Sequence, residues 1–206
     1  MSDIEFDPVA HRYTFEGREL PSVSAIIRDL SFADLWHVPA AVLKEAAEFG
    51  TRVHVLTEDY DRNNATYLPR FYDLPDRERA CLDAWAAFRH EARFQKTHVE
   101  YRVHHEALGY AGTIDRIGIL HDAALAHGRR VIIDIKTSEP HDWHGVQLAG
   151  YYLAARSQGL ADTDMMTDRY AVYLRDDGTY RLRRYDSPDD ISVFIAHLKK
   201  NREQQP

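Results

Sequence analysis

The run Arg129-Arg130-Val131-Ile132-Ile133-Asp134-Ile135-Lys136 constrains the fold more than any other stretch of the chain. Its β-branched residues suit a pleated strand and crowd a helix. Successive strand side chains alternate faces, so Val131, Ile133 and Ile135 project one way and Asp134 and Lys136 project together the other way. The most apolar strand of the chain thus ends with a carboxylate beside an ammonium. Two more strand-like runs come before it. Residues 97–105, "THVEYRVHH", alternate, and residues 110–120, "YAGTIDRIGIL", are strand-like throughout. With "HDAALAHG" as a loop, the three runs are expected to form an antiparallel meander.

The flanking segments supply helices. "IEFDPVAHRYTFEGREL" reads as a small hairpin or meander turning at Glu16-Gly17. Pro21-Ser22 opens a helix capped by Ser22 or Ser24. From Val38 the pattern is helical, with Pro39 at a helix start and Gly50 in the middle; it reads as two helices or one bent at Gly50. "DRERACLDAWAAFRHEARF" is an amphipathic helix with an apolar stripe of Leu82, Trp85, Ala86 and Phe88. After the meander, "DWHGVQLAGYYLAARSQG" is a helix ended by Gly159. A hairpin turns at Asp177-Gly178, and a terminal helix has Ser187 as cap and Pro188 next. The expected fold class is α+β, a central mixed sheet flanked by helices in one domain over residues 1–206. Its parts are an N-terminal hairpin over 1–21, a helical part over 22–95 and a sheet core over 96–206.

Composition narrows the chemistry. With 44% hydrophobic and 29% charged residues in 206, the chain has a globular core. The absence of a signal pattern or an apolar run of membrane-spanning length makes a cytoplasmic address the expectation. The single cysteine, Cys81, excludes an intrachain disulfide and any all-cysteine metal or iron–sulfur site within one chain; it reads as a buried small hydrophobe. A net charge of −7 argues against broad basic coating of nucleic acid, and says little against a recessed site whose acids hold a metal.

If the strands carrying "GTID" and "DIKTS" are neighbours, Asp115 can lie near Asp134. Paired carboxylates repel, and a cation compensates. Mg²⁺ takes one or two protein carboxylates and leaves positions for phosphate oxygens. A lysine beside it can orient or deprotonate the attacking water, which together is the apparatus of metal-assisted phosphodiester hydrolysis. Asp134-x-Lys136 alone reads as a strand-end ion pair. The surrounding motifs change the reading. Gln147 and Tyr151, four apart, share a helix face, and Gly50-Thr51-Arg52-Val53-His54 puts an imidazole on a helix just after a glycine that permits close approach.

The set "GTRVH", "GTID", "DIKTS" and "QLAGYY", in that order, resembles the PD-(D/E)XK nuclease superfamily, in particular its RecB-like exonuclease branch and the small phage-type members. The resemblance spans His11 to Tyr152. It implies a restriction-endonuclease-like core, Mg²⁺ or Mn²⁺ as cofactor, DNA as substrate, and a place in phage or bacterial recombination or repair. It assigns the first acid to Asp115, the second to Asp134 and the catalytic lysine to Lys136. His54 becomes a metal ligand, the Ile135 carbonyl a backbone ligand, and Glu100 a further acid near the metal. Gln147 and Tyr151 then support Lys136 or contact phosphate. The second acid is Asp where Glu is commoner, and the cluster-ligating cysteines of some relatives are absent. No phosphate loop of an ATP motor is present. Ring-forming relatives make a homo-oligomer or a recombination partner compatible with the resemblance.

Other candidates have plainer readings. His141 and His144, three apart, match no complete zinc pattern and read as solvated histidines at a helix start. His104 and His105 read as strand and loop surface. Arg181, Arg183 and Arg184, with Lys199, Lys200 and Arg202, fit phosphate contact and plain solvation equally. Tyr67, Phe71 and Tyr72 read as packing aromatics that could also stack on bases. Two rival functions remain beside the nuclease: a non-catalytic DNA-end-binding or protein-binding module, and a hydrolase of small phosphate esters.

Overall fold

A computed structural model describes residues 4–63, 73–121, 128–161 and 167–204. The loop expected over 121–128 and the aromatics Tyr67, Phe71 and Tyr72 lie largely or wholly outside the described residues. The N-terminal segment forms a three-stranded antiparallel sheet of β1 (Ile4–Asp7), β2 (Arg12–Phe15) and β3 (Arg18–Leu20). Glu16 and Gly17 both take positive φ, 50° and 74°, giving a two-residue turn whose twist matches the strands it joins. Ile4, Tyr13 and Leu20 close this sheet over Ala111.

Helices follow. Ser22 caps α1 (Val23–Ile26), its Oγ accepting from the Ala25 N–H at 3.0 Å. The short α2 (Arg28–Leu35) comes next. Pro39 stands at the N-cap of α3 (Ala40–Arg62), which continues through Gly50 as one helix of 23 residues. A Cβ at Gly50 would sit 3.5 Å from Thr137 Oγ1, an ordinary contact, so the approach to the sheet does not itself require glycine. In α4 (Asp76–Glu91), Cys81, Leu82, Ala84, Trp85 and Phe88 are buried; Ala86, expected on the stripe, is only half-buried.

The main sheet has the order β4 (Gln95–His105), β5 (Tyr110–Leu120), β6 (Arg129–Lys136), β7 (Asp168–Leu174) and β8 (Tyr180–Arg184). All pairings are antiparallel except β6–β7. Parallel neighbours need a crossover, and α5 (Trp143–Ser157) supplies it. Gly159, at φ 70°, follows the end of α5 in the left-handed conformation glycine adopts freely. Pro188, rather than Ser187, is the N-cap of α6 (Asp189–Glu203); Ser187 sits one residue earlier and accepts from the Asp189 N–H at 3.3 Å. The architecture is α+β, a five-stranded mixed sheet flanked by six helices among the described residues. None of these helices is long and apolar enough to cross a membrane.

The alternation in β6 and β7 sorts the core into two layers. Val131, Ile133, Ile135, Val172 and Leu174 pack with Phe49, Val53, Trp85 and Phe88 of α3 and α4. Ile132, Ala171 and Tyr173 pack with Leu148 and Ala154 of α5 and Phe194 of α6. Asp134 and Lys136 share the parity of Ile132 and so face α5. Strand β5 departs from this regularity. Ile114 and Ile117, three apart, lie in the same α5-side layer, so the alternation slips by one residue around Asp115.

Candidate functional site

The slip in β5 creates the site. The β5–β6 ladder ends at Arg116↔Ile133, one pair before Asp115 would face Asp134. Asp115 Oδ2 instead accepts the Ile135 N–H at 2.6 Å, doing with a side chain what the next rung would have done with a carbonyl. The β4–β5 ladder likewise passes from Val99↔Arg116 to Tyr101↔Ile114 without pairing Glu100 to Asp115. Glu100 takes φ 48°, the only such non-glycine residue inside a strand among the described residues. A side chain in that region costs about 1–2 kcal/mol. The conformation swings the Glu100 carboxylate toward Asp115.

Three of the residues singled out in the sequence converge there. Ligand atoms of His54, Glu100 and Asp115 lie within 4.8 Å of one another. His54 is half-exposed on α3, with Nδ1 3.6 Å from Asp115 Oδ2. Burial, and then the Asp115 charge, push the Glu100 carboxyl up to about 8 despite the Arg116 guanidinium beside it. Two carboxylates and an imidazole forced together at this cost form a donor set that fits a divalent cation.

Asp134 lies outside this triad in the structure. It is 3% exposed, and Lys136 Nζ stands 2.7 Å from its Oδ2 in an ion pair. Burial pushes the Asp134 carboxyl up to about 6, against the pull of the Lys136 ammonium. Lys136 Nζ also donates to Gln147 Oε1 at 2.9 Å, and Gln147 Nε2 donates to the Tyr151 hydroxyl at 3.1 Å. Since an ammonium only donates, Lys136 fixes which way the Gln147 amide points. Tyr151 fits because residue 112 is glycine: a Cβ there would lie 2.6 Å from the Tyr151 ring. Ile135 contributes its side chain to the α3–α4 layer and its amide to Asp115.

The model of the PD-(D/E)XK nuclease superfamily matches residues 33–204, most of the chain and all of these residues. The chain belongs to the PD-(D/E)XK nuclease superfamily. Members are typically metal-dependent nucleases, so DNA is the substrate class and a divalent metal the cofactor class this membership implies. No curated protein matches the chain. Among solved structures, the crystal structure of SSO0001 aligns at 16% identity and a TM-score of 0.36, over 88% of this chain and 85% of that one.

Behind the PD-(D/E)XK acids lies a charged network that the sequence reading missed. Arg116 is fully buried. Its guanidinium donates to Asp61 Oδ2 (2.5 Å), Glu100 Oε1 (2.9 Å), the Asp115 carbonyl (2.6 Å) and Thr57 Oγ1 (3.3 Å). It also lies over the Trp85 ring, and Arg89 holds the other oxygen of Asp61. Two signals in the sequence pointed here. Asp61 follows His54 by seven residues, two turns along one face of α3. Arg116 interrupts an otherwise apolar strand, where an unpaired charge would be prohibitive.

The histidines need a correction. His144 is fully buried rather than solvated; its Nδ1 lies 2.8 Å from the Tyr173 hydroxyl, and burial holds the ring neutral. It sits on the inner face of α5, one turn from Gln147, so the same packing buries both. His141 is half-buried and pairs with Asp34 at 3.1 Å. His104 is buried and stacked on Phe15 at 4.2 Å, not on the surface.

The raised Glu100 carboxyl has a consequence for metal-free protein. A folded pKa above the ordinary value of 4.5 means the folded chain holds the proton more tightly than the unfolded one. Stability from this group is therefore present at pH 4 and is lost as pH rises toward 8. In chelator, Glu100→Gln is expected to melt higher than wild type at pH 8.5 and to lose that advantage at pH 5. Equal differences at both pH values would show that Glu100 is not perturbed.

Proposed function

We propose that the protein is a divalent-metal-dependent deoxyribonuclease that works as an exonuclease at DNA ends, in the cytoplasm, with its nuclease domain spanning residues 1–206. The observation that carries this reading is the convergence of His54, Glu100 and Asp115 beside the Asp134–Lys136–Gln147 chain. In this reading His54, Glu100, Asp115, Asp134 and the Ile135 carbonyl hold the cation. When bound, a divalent cation supplies positive charge to the scissile phosphate and acidifies water. Lys136, aimed by Gln147, orients the attacking water as an ammonium, or takes its proton as the neutral amine. Tyr151 holds Gln147 in place through its hydroxyl. The exonuclease role and a place in phage or bacterial recombination or repair rest on the order of the motifs.

Incubation with end-labelled linear DNA and with closed circular DNA, in Mn²⁺, Mg²⁺ or chelator, tests this. The expected result is metal-dependent release of short products from linear DNA with the circle spared. Cleavage of both would make the protein an endonuclease. Binding of DNA without cleavage in any metal would favour the non-catalytic module, and hydrolysis of small phosphate esters alone the third reading.

An imidazole in a mostly oxygen site favours a softer ion than Mg²⁺. Mn²⁺ is expected to support cleavage at least as well as Mg²⁺, and His54→Ala to erode that preference. Calorimetric titration of both metals into wild type and variant gives the check. Unchanged affinity and preference would make His54 a packing residue.

A further inference from the structure

Three arginines of the last hairpin read alike in the sequence, and the structure separates them. Arg183 pairs with Asp142 at 2.7 Å, and Arg184 with Asp168 at 3.0 Å. Arg181 is exposed and holds no ion pair among the described residues; Arg175, beside the turn of the same hairpin, is exposed as well, and its charge acts on Asp177. Register then places Arg181. Lys136 pairs with Tyr173 across β6–β7, and Tyr173 pairs with Arg181 across β7–β8. Residues directly opposite one another share a sheet face. Lys136, Tyr173 and Arg181 therefore form one row across three strands. Two strand spacings put Arg181 about 10 Å from Lys136, or about three phosphate steps of rise along one DNA strand.

A groove runs from Arg181 to the segment just after Lys136 and also touches Phe49 and Cys81 of the α3–α4 layer. It is lined by Thr137 and Ser138, which directly follow Lys136, by Tyr173, and by Arg77, Arg175 and Arg181. Its acids are partly engaged: Asp176 pairs with Arg77 at 3.5 Å, and Asp177 closes the hairpin by accepting from the Thr179 N–H at 2.9 Å. Glu139 stays exposed at the rim. Resting on the nuclease reading above, we infer that Arg175 and Arg181 form a subsite for the phosphodiester backbone of the DNA strand that leads away from Lys136. Thr137 and Ser138 supply neutral donors between the two.

The test measures binding of a labelled linear duplex by fluorescence anisotropy in chelator, over a range of salt. Each phosphate contact contributes about 0.9 to the slope of log affinity against log salt. Arg181→Ala is expected to flatten that slope by about 0.9 and to weaken binding roughly tenfold at low salt. Arg175→Ala with Arg181→Ala should flatten it by about twice as much, and Arg181→Lys should restore it. Arg18→Ala, an exposed arginine at the far N-terminal sheet, serves as the control and should leave the slope where it is. Wild-type slope and affinity in the double variant would overturn the subsite and leave the nuclease reading standing. A wild-type protein with no salt-dependent affinity for DNA would overturn both.

Discussion

Lys136→Ala is expected to slow single-turnover cleavage by about 10²–10⁴-fold, or about 3–5 kcal/mol of barrier, the range for lost acid–base assistance. Metal binding should stay as tight as in wild type or tighten. The reason lies in the ion pair. Lys136 Nζ stands 2.7 Å from Asp134 Oδ2, so an entering cation competes with the ammonium for that carboxylate. Removing the ammonium removes the competitor. A purely structural lysine predicts the opposite pattern, with altered metal affinity and a wild-type rate once metal saturates. Metal titration beside the single-turnover rate separates the two accounts.

Arg116→Met is expected to carry the largest loss of stability. The guanidinium is fully buried and neutralises Asp61, itself 1% exposed, while bonding Glu100 and the Asp115 carbonyl. Breaking a buried pair from one side leaves an uncompensated charge and costs about 3–5 kcal/mol. For a chain of this size that lowers Tm by about 10 °C. Arg116→Lys should recover only part, because an ammonium cannot reproduce four donations from one planar fork. Urea denaturation of the three proteins gives the check. A loss under about 1 kcal/mol would mean that the Arg116–Asp61 pair compensates little charge in the fold.

Much of the fold was legible because β6 obeys simple alternation. Val131, Ile133 and Ile135 do enter one layer, and Asp134 and Lys136 do face the other. The four-residue spacing of Gln147 and Tyr151 likewise became a hydrogen bond. What the sequence did not show was where alternation fails. The approach of Glu100 to Asp115 depends on a left-handed residue inside β4 and a phase slip in β5, which no periodic pattern records. Burial of His144 was hidden for a related reason. A histidine at a helix start is solvated by default, and only the parallel pairing of β6 with β7 sets α5 down with that face inward. The arginines of β8 were ambiguous until the ion pairs of Arg183 and Arg184 set them apart from Arg181.

The central claim is that Asp115 and Asp134 together hold the metal on which cleavage depends, although only Asp115 stands in the His54–Glu100 cluster. The most direct test is single-turnover cleavage of linear DNA by Asp134→Asn at saturating Mn²⁺, with calorimetric Mn²⁺ binding measured on the same protein. The account predicts weakened metal binding and no detectable cleavage from a variant that melts normally. Cleavage near the wild-type rate would contradict it and leave Asp134 as nothing more than the partner of Lys136.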